Sequence, residues 1–460
     1  MLPVFDPIRS CAVALDVIAA SAADALSLGR RRDQRLAALL ASAVARSPMY
    51  RQACGGTRAA APLNAFPLAT KAELMARFDD WVTDRGLHLE TVQRFVADPA
   101  CVAEPLHGRY MVWESSGSSG QPGLFVQDAQ AMAVYDALET FRRPQRLAWP
   151  GLVDPLQLGQ RLVFVGATDG HFASYVSLER MRRLNLLAAM RVRSVSFLQP
   201  IHRIVEQVDA WSPTVLATYP SAAVVLAEEK VAGRLRCELQ EIWTGGENLT
   251  PAMRRFIATA FQCRVLDSYG ASEFLALACE CQHGRLHLNS DWAILEAVDS
   301  NGRAVTPGTA GDRTLLTNLA NHVQPIIRYD LGDRTVLHHT PCACGSALPA
   351  IEVRGRDDDM LMLGNAEGAP VSMLPLALCT VLEEEAGLFD FQIRQVHRCE
   401  LELRCGSQTG DGVQTLARAK RVLGRYLLRS GAHGVRIRCH HGEPLSKGRS
   451  GKVQRVVGMS

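Results

Sequence analysis

The sequence predicts an α/β fold: a large N-terminal domain of mixed and parallel sheets with helices and a β-rich subdomain, followed by a small α+β C-terminal domain. Three features carry this expectation. Between residues 162 and 246, the short β-type runs Leu162-Val163-Phe164-Val165, Thr214-Val215-Leu216-Ala217 and Glu241-Ile242-Trp243 alternate with helical stretches near 222–231, and another follows at 251–261. Such alternation is the mark of parallel strands joined by crossover helices. From 292 to 337 the pattern changes to strands and turns, with Ala293-Ile294-Leu295-Glu296-Ala297-Val298 running into the turn Ser300-Asn301-Gly302. After Gly355-Arg356-Asp357-Asp358-Asp359, helical stretches near 374–385 and 414–428 are separated by short β-type runs.

In chain order, residues 1–100 read as a helical lead-in of the large domain, rich in Ala and Leu and interrupted at Ala61-Pro62-Leu63. Residues 101–355 form the body of that domain, with the β-rich subdomain at about 290–340, and residues 356–460 form the small domain. No internal repeat or low-complexity segment interrupts the chain.

Composition bounds the function. The 460 residues are 21% charged and 47% hydrophobic, which excludes a disordered chain, and a mean hydropathy of zero excludes a polytopic membrane protein. Lys plus Arg number 50 against 47 Asp plus Glu, so the net charge of +3 gives no basic excess for tracking nucleic acid. The stretch 12–28 imitates a targeting signal, but it carries Asp16 and Asp24, and the basic run Arg30-Arg31-Arg32 follows it. It reads as an amphipathic surface helix, and the expectation is a cytoplasmic protein without a membrane span. Thirteen scattered cysteines, an odd number, are not a secreted disulfide framework; free thiols are expected except where they cluster.

The strongest local signal is Glu114-Ser115-Ser116-Gly117-Ser118-Ser119-Gly120-Gln121-Pro122-Gly123, hydroxyls and glycines between two apolar stretches. Glycines let backbone N–H groups approach a phosphate and hydroxyls add neutral donors, yet the Walker spacing and its lysine are absent. Downstream follow Gly245-Gly246-Glu247, Ser268-Tyr269-Gly270-Ala271-Ser272-Glu273, Arg328-Tyr329-Asp330-Leu331-Gly332-Asp333, Gly355-Arg356-Asp357-Asp358 and Ser446-Lys447-Gly448-Arg449-Ser450-Gly451-Lys452-Val453-Gln454-Arg455.

In that order these elements resemble the adenylate-forming superfamily of acyl-CoA synthetases and adenylation domains. The branch they resemble is the phenylacetate–CoA ligase-like one, which includes the coenzyme F390 synthetase-like proteins. The resemblance runs from about Glu114 to Arg455. It implies that Ser115, Ser116, Gly117, Ser118, Ser119 and Gly120 wrap the β- and γ-phosphates of ATP, and that Gly245, Gly246 and Glu247 line the adenine site. By the same resemblance Tyr269 stacks on adenine beside Gly270, Ser272 contacts phosphate, and Glu273 helps hold Mg²⁺, a hard cation suited to one carboxylate plus phosphate oxygens. Asp333 takes both ribose hydroxyls, and Arg356 reaches the ribose or α-phosphate as a planar fork. Asp358 matches the hinge of a mobile C-terminal domain, and Lys452 matches the lysine that bridges carboxylate and α-phosphate as charge builds. Two departures stand out. Gly123 occupies a position where many relatives carry Lys, and the segment after Asp359 lacks the Arg-Gly-Val-Asn-Val-Phe-Pro-like stretch that others place near the pantetheine tunnel.

Cys281 and His287, with Cys342 and Cys344 about sixty residues on, supply three sulfurs and a nitrogen, enough for a closed tetrahedral Zn²⁺ site of a structural kind. The spacing resembles a zinc site of some phenylacetate–CoA ligase-like proteins, and Cys279 and His283 compete as ligands. Tyr219, Ser221 and His171 are candidates for the acid pocket, with a core role open for each. Arg418, Arg421, Arg425 and Arg429 recur at helical spacing, forming either a docking stripe for an acidic carrier protein or CoA phosphates, or a solvated helix face.

The resemblance therefore implies an ATP- and Mg²⁺-dependent ligase that activates a carboxylic acid, aryl in the first instance, as its adenylate. The acyl group then passes to the phosphopantetheine thiol of CoA or an acyl carrier protein. The alternatives are an adenylyltransferase or amide-forming ligase of the same superfamily and a catalytically silent nucleotide-binding protein. A homodimer is the base-rate expectation for such a chain.

Overall fold

The protein is described from a computed structural model, which covers residues 4–53, 62–115, 122–143, 160–168, 170–356, 361–364, 370–373, 375–406, 412–442, 445 and 453–459. Within the stretch expected as one amphipathic helix at 12–28, the chain instead breaks between the helices Pro7–Ser21 and Ala25–Arg46. The cause is local: the Asp24 carboxylate accepts the Ser27 N–H at 2.7 Å and caps the second helix. The first helix buries Val13, Val17 and Ala20 and leaves Ile8 and Leu15 in solvent. No described helix is long and apolar enough to cross a membrane.

A short hairpin of β1 (Met111–Glu114) and β2 (Leu124–Gln127) follows, all eight residues buried. The central sheet then begins with β3 (Leu162–Gly166), β4 (Val192–Ser196), β5 (Val215–Thr218), β6 (Glu241–Gly245) and β7 (Arg264–Ala271), parallel in the order β4-β3-β5-β6-β7. The helices Ile201–Trp211, Pro220–Val231 and Pro251–Phe261 connect β4 to β5, β5 to β6 and β6 to β7, the last two close to the stretches read from sequence. Beyond β7 the same sheet turns antiparallel through β8 (Phe274–Glu280) and β9 (Leu286–Leu288). A three-stranded sheet of β10 (Ala293–Val298), β11 (Arg313–Asn318) and β12 (Tyr329–Asp330) lies between, after which β13 (Asp333–His338) and β14 (Ala350–Arg356) return to complete nine strands. The strand-rich stretch near 290–340 is thus divided between two sheets.

The remaining strands are the pair β15 (Leu361–Gly364) and β16 (Pro370–Met373), then β17 (Phe391–His397), β18 (Glu400–Cys405), β19 (Arg436–His441) and β20 (Val456–Val457), a four-stranded sheet ordered β19-β18-β17-β20. The helices Pro375–Ala386 and Gly412–Arg429 accompany these strands. Buried apolar residues fall into three large clusters. One joins the N-terminal helices, the first hairpin and the antiparallel strands; a second surrounds the parallel strands; a third draws only on residues 361–456. The last is a core of its own, as an independently packed C-terminal unit requires.

Candidate functional site

The carboxyl ends of parallel strands are where open α/β sheets hold ligands, because loops diverge there and leave a crevice. Gly245 and Gly246 stand at that end of β6. A Cβ on Gly245 would lie 2.9 Å from Ser268 Oγ and 3.1 Å from the Ser268 carbonyl, so the strands approach too closely for a side chain, and Gly246 turns away at φ +76°. Glu247 follows: its Oε2 accepts the Ser221 N–H at 3.0 Å, while Oε1 is buried without a hydrogen-bond partner. Tyr219, at the N-cap of Pro220–Val231, meets the Phe197 ring edge-on at 5.8 Å and lies 3.5 Å from the Ala167 N–H, which donates to its hydroxyl. Burial pushes its phenol up to about 12. Tyr219, Ser221, Glu247 and Gly245 thus share one region, at the ends of β5 and β6.

The adjacent turn from β7 to β8 carries the remaining motif. Its register slips between Tyr269 and Ala271, and a Cβ on Gly270 would fall 1.9 Å from the Leu275 carbonyl oxygen, so only glycine fits. The Tyr269 hydroxyl donates to Asp333 Oδ2 at 2.6 Å, uniting two residues sixty-four positions apart. Ser272 offers its carbonyl to Trp113 Nε1 at 2.7 Å. Glu273 is 8% exposed; its carbonyl accepts from Asn318 Nδ2 at 2.8 Å, and Tyr329 Oη donates to its Oε1 at 2.7 Å. Asp333 begins β13 directly opposite Arg356, the last residue of β14.

The Ser-rich loop is held at its neck. The Ser115 N–H donates to the Gly123 carbonyl at 2.8 Å, and Ser115 Oγ accepts the Gly123 N–H at 2.7 Å. One residue earlier, the Glu114 N–H donates to the His171 carbonyl at 2.8 Å, tying the loop to the segment after β3. The His171 ring is fully buried, edge-on to Phe95 at 5.5 Å, with Nε2 at 3.1 Å from the Asp98 carbonyl and Nδ1 unpartnered. That carbonyl can only accept, so Nε2 carries a proton. Ser116, Gly117, Ser118, Ser119, Gly120, Asp358, Lys452 and the side chain of Arg356 lie outside the described residues.

Trp113, Asn318 and Tyr329, which hold the Ser272–Glu273 turn, were not singled out by sequence. Tyr329 stands inside a motif read for Asp333, and the neighbouring Arg328 explains why that motif needs its arginine. Arg328 takes φ +49° and donates to Glu296 at 3.2 Å, to the Phe66 carbonyl at 3.1 Å and to the Gly302 carbonyl at 3.3 Å, fixing the turn that delivers Tyr329. Asn318 has no local signal at all.

A second cluster lies at the other end of β8. Cys281 Sγ is 3.9 Å from Cys342 Sγ, Cys344 Sγ is 3.4 Å from His287 Nε2, and all four ligand atoms lie within 4.8 Å of one another. Tetrahedral zinc with bonds of about 2.3 Å has S···S edges of about 3.8 Å, so the donor set and its spacing fit that ion. His287 Nδ1 bonds the Leu348 carbonyl at 2.8 Å, which frees Nε2 as the ligand atom. The Cys344 backbone N–H, with the neighbouring His287 and thiols, holds the Cys342 thiol below its usual range. Of the competing candidates, the buried Cys279 and the exposed His283 are not among these four.

On the helix Gly412–Arg429, Arg418 donates to the Ala386 carbonyl at 3.0 Å and Arg425 reaches Glu385 at 3.4 Å. Part of the expected basic stripe is thereby spent on internal contacts.

No family model matches the chain. Over 271 residues it is 26% identical to a phenylacetate–coenzyme A ligase of Thermus thermophilus, a match covering 57% of this chain and spanning 58% of that ligase's length. Among solved structures, 2-hydroxyisobutyryl-CoA ligase in a postadenylation state with its acyl-AMP superposes with a TM-score of 0.65 at 21% identity, covering 93% of this chain and 88% of that one. A benzoate CoA ligase from Burkholderia xenovorans superposes with a TM-score of 0.51 at 17% identity, over 75% and 67% of the two chains. The chain has the fold of the adenylate-forming CoA ligases, and its sequence resembles their phenylacetate–CoA ligase-like branch.

Proposed function

We propose that the protein is an AMP-forming acid–thiol ligase: a carboxylate attacks the α-phosphate of ATP, pyrophosphate leaves, and the acyl-adenylate is captured by the thiol of CoA. The observation that carries this reading is the convergence of the Tyr269–Asp333 pair with the Tyr329-held Glu273 carboxylate at the ends of the sheet strands. Asp333, which accepts from Tyr269, is the carboxylate for the ribose hydroxyls, and the Tyr269 ring is the stacking surface for adenine. The loop whose neck Ser115 closes cradles the outer phosphates, and Gly245, Gly246 and Glu247 line the adenine site. Glu273 is the residue that would hold Mg²⁺, and the ion bound there neutralises charge on phosphate oxygens. Lys452 stabilises the charge that builds as carboxylate meets α-phosphate. Arg356 serves ribose or α-phosphate, and rotation about Asp358 exchanges the adenylating face of residues 356–460 for the thiol-capturing one.

The acid pocket in this reading lies at the end of β5, with Tyr219 and Ser221 on its wall, whereas the His171 ring packs on Phe95 and the Asp98 carbonyl. The acid is aryl in this reading, in keeping with the phenylacetate and benzoate ligases to which the chain is similar. The 2-hydroxyisobutyryl ligase makes small hydroxy acids the first comparison. The Cys281–His287–Cys342–Cys344 cluster holds structural Zn²⁺. An acyl carrier protein in place of CoA remains an outcome of the test.

The test is acid-dependent ATP–pyrophosphate exchange over aryl, 2-hydroxy and fatty acids, with CoA and a holo-carrier protein then supplied to each active case. Exchange with one class and thioester formation with CoA are expected, and Lys452→Ala abolishes exchange while leaving the fold intact. Undiminished exchange in Lys452→Ala, or none in the wild type with ATP still bound, would sink the assignment. AMP transfer without thiol consumption would mark an adenylyltransferase instead.

A further inference from the structure

Arg455 stands three residues beyond Lys452, at the entry to β20, and its side chain is 12% exposed. Its guanidinium donates to Glu383 Oε1 and, at 3.0 Å, to the Phe389 carbonyl, with Met253 sulfur at 3.5 Å and the Phe391 ring 4.1 Å beneath it. The Glu383 side chain is fully buried on the helix Pro375–Ala386, and its second oxygen accepts from Thr250 Oγ1. Thr250 belongs to the other unit: it N-caps the helix Pro251–Phe261 that follows β6, taking the Met253 N–H at 3.2 Å. Beside this contact Phe256 and Phe389 stack at 5.2 Å and 15°. Glu247, three residues before Thr250, keeps a buried, unpartnered Oε1, and its charge acts on Arg455.

A buried carboxylate shared between a guanidinium and a hydroxyl is satisfied only while both partners stay in place, and losing one leaves an uncompensated charge. An arrangement of this kind is bistable rather than soft, because water replaces the lost partner only after the units separate. We propose that Thr250, Glu383 and Arg455 form a latch between the ATP-binding unit and the C-terminal unit, with Glu383 and Arg455 acting as positioning residues that present the Lys452 segment for adenylation. The role given to Lys452 rests on the ligase reading above; the latch itself rests on the contacts. Release of Glu383 from Thr250 is the event that lets the C-terminal unit swing to its second arrangement.

Thr250→Asp and Thr250→Asn separate the latch from the helix cap, since both side chains cap a helix N-terminus and only the aspartate sets a second carboxylate against Glu383. Thr250→Asp is expected to slow pyrophosphate exchange by roughly tenfold or more, and Thr250→Asn by no more than about threefold. Thioester formation from the preformed adenylate stays unchanged in both, and small-angle scattering shows a larger radius of gyration for Thr250→Asp alone. Equal behaviour of the two variants, or parallel loss of both half-reactions, overturns the latch. Should Thr250→Asp fail to fold, Glu383→Gln, which keeps shape and removes charge, carries the same test and the same expected split. A wild-type chain without exchange would overturn the ligase reading instead, and the scattering comparison would still decide the latch.

Discussion

Replacing Gly270 with alanine places one carbon atom where the structure has no room for it. The Cβ would lie 1.9 Å from the Leu275 carbonyl oxygen, whereas carbon and oxygen in contact normally keep about 3.3 Å. The carbonyl therefore has to retreat by about 1.4 Å. It cannot do so by rotamer change, because it is backbone at the start of β8, next to the Ala271–Phe274 pair with β7. Forced expansion of a packed site costs typically 1–3 kcal/mol, and a backbone obstacle puts this case at about 3 kcal/mol. Gly302→Ala is the matched control. That residue has φ +76° and nothing within 4 Å of the added atom, so only the left-handed backbone is penalised, at about 1 kcal/mol. Urea unfolding of the two variants should show Gly270→Ala less stable than Gly302→Ala by about 2 kcal/mol. Pyrophosphate exchange should fall in Gly270→Ala alone, because Tyr269, Ser272 and Glu273 ride on the displaced turn. Equal destabilisation of the two would refute the register slip at Tyr269–Ala271.

The metal cluster predicts about one zinc per chain by atomic spectroscopy, lost in Cys344→Ser and retained in Cys279→Ser; chelation lowers Tm by several degrees, and an unchanged Tm would remove the structural role. Stability should fall as pH rises from about 4 to about 7. Burial lifts Asp267 from its ordinary 3.8 to about 7 and, helped by Asp390, lifts Glu228 from 4.5 to about 7. In that window the native state holds protons that the unfolded chain has released, a ceiling of about 4 kcal/mol for Asp267 alone. Asp267→Asn should flatten the slope measured by urea unfolding at each pH, and an unaltered slope would reject the assignment.

Much of the parallel half of the sheet was legible because its strands are short apolar runs between helical periods, each of which a local pattern can reveal. The helices expected near 222–231, 251–261, 374–385 and 414–428 are found as Pro220–Val231, Pro251–Phe261, Pro375–Ala386 and Gly412–Arg429. The antiparallel half was less so. β13 and β14 leave a stretch of strands and turns to rejoin the central sheet, and nothing local in Asp333–His338 marks that choice. The site divides in the same way. Gly245, Gly270 and Asp333 stand in motifs whose spacing survives in sequence, whereas Asn318 and Trp113 reach the turn by side-chain hydrogen bonds from distant parts of the chain. The break at Ala22-Ala23-Asp24 was hidden because apolar periodicity continues past it and only the aspartate cap betrays the stop.

The two clusters of chemistry share one strand, and that fact argues for what the cysteines do. β8 begins at Phe274, directly after Glu273, and ends at Glu280, directly before Cys281. At about 3.3 Å per residue, the carboxylate and the first thiol stand more than 20 Å apart, too far for a metal at the cysteines to touch substrate bound at Glu273. Six of the seven strand residues are buried, so the strand is held as a stiff rod within the sheet. His287 on β9 and Cys342 and Cys344 on the β13–β14 connection come to the far end of that rod. A metal there fastens three antiparallel strands at the edge where β9 contributes only three residues, two of them paired with β14. Asp333 and Arg356 face each other at the opposite end of the same β13–β14 pair. Closing one end of this half-sheet therefore limits the freedom of both the Glu273 turn and the Asp333–Arg356 pair, and metal loss should loosen nucleotide binding without changing which acid is chosen.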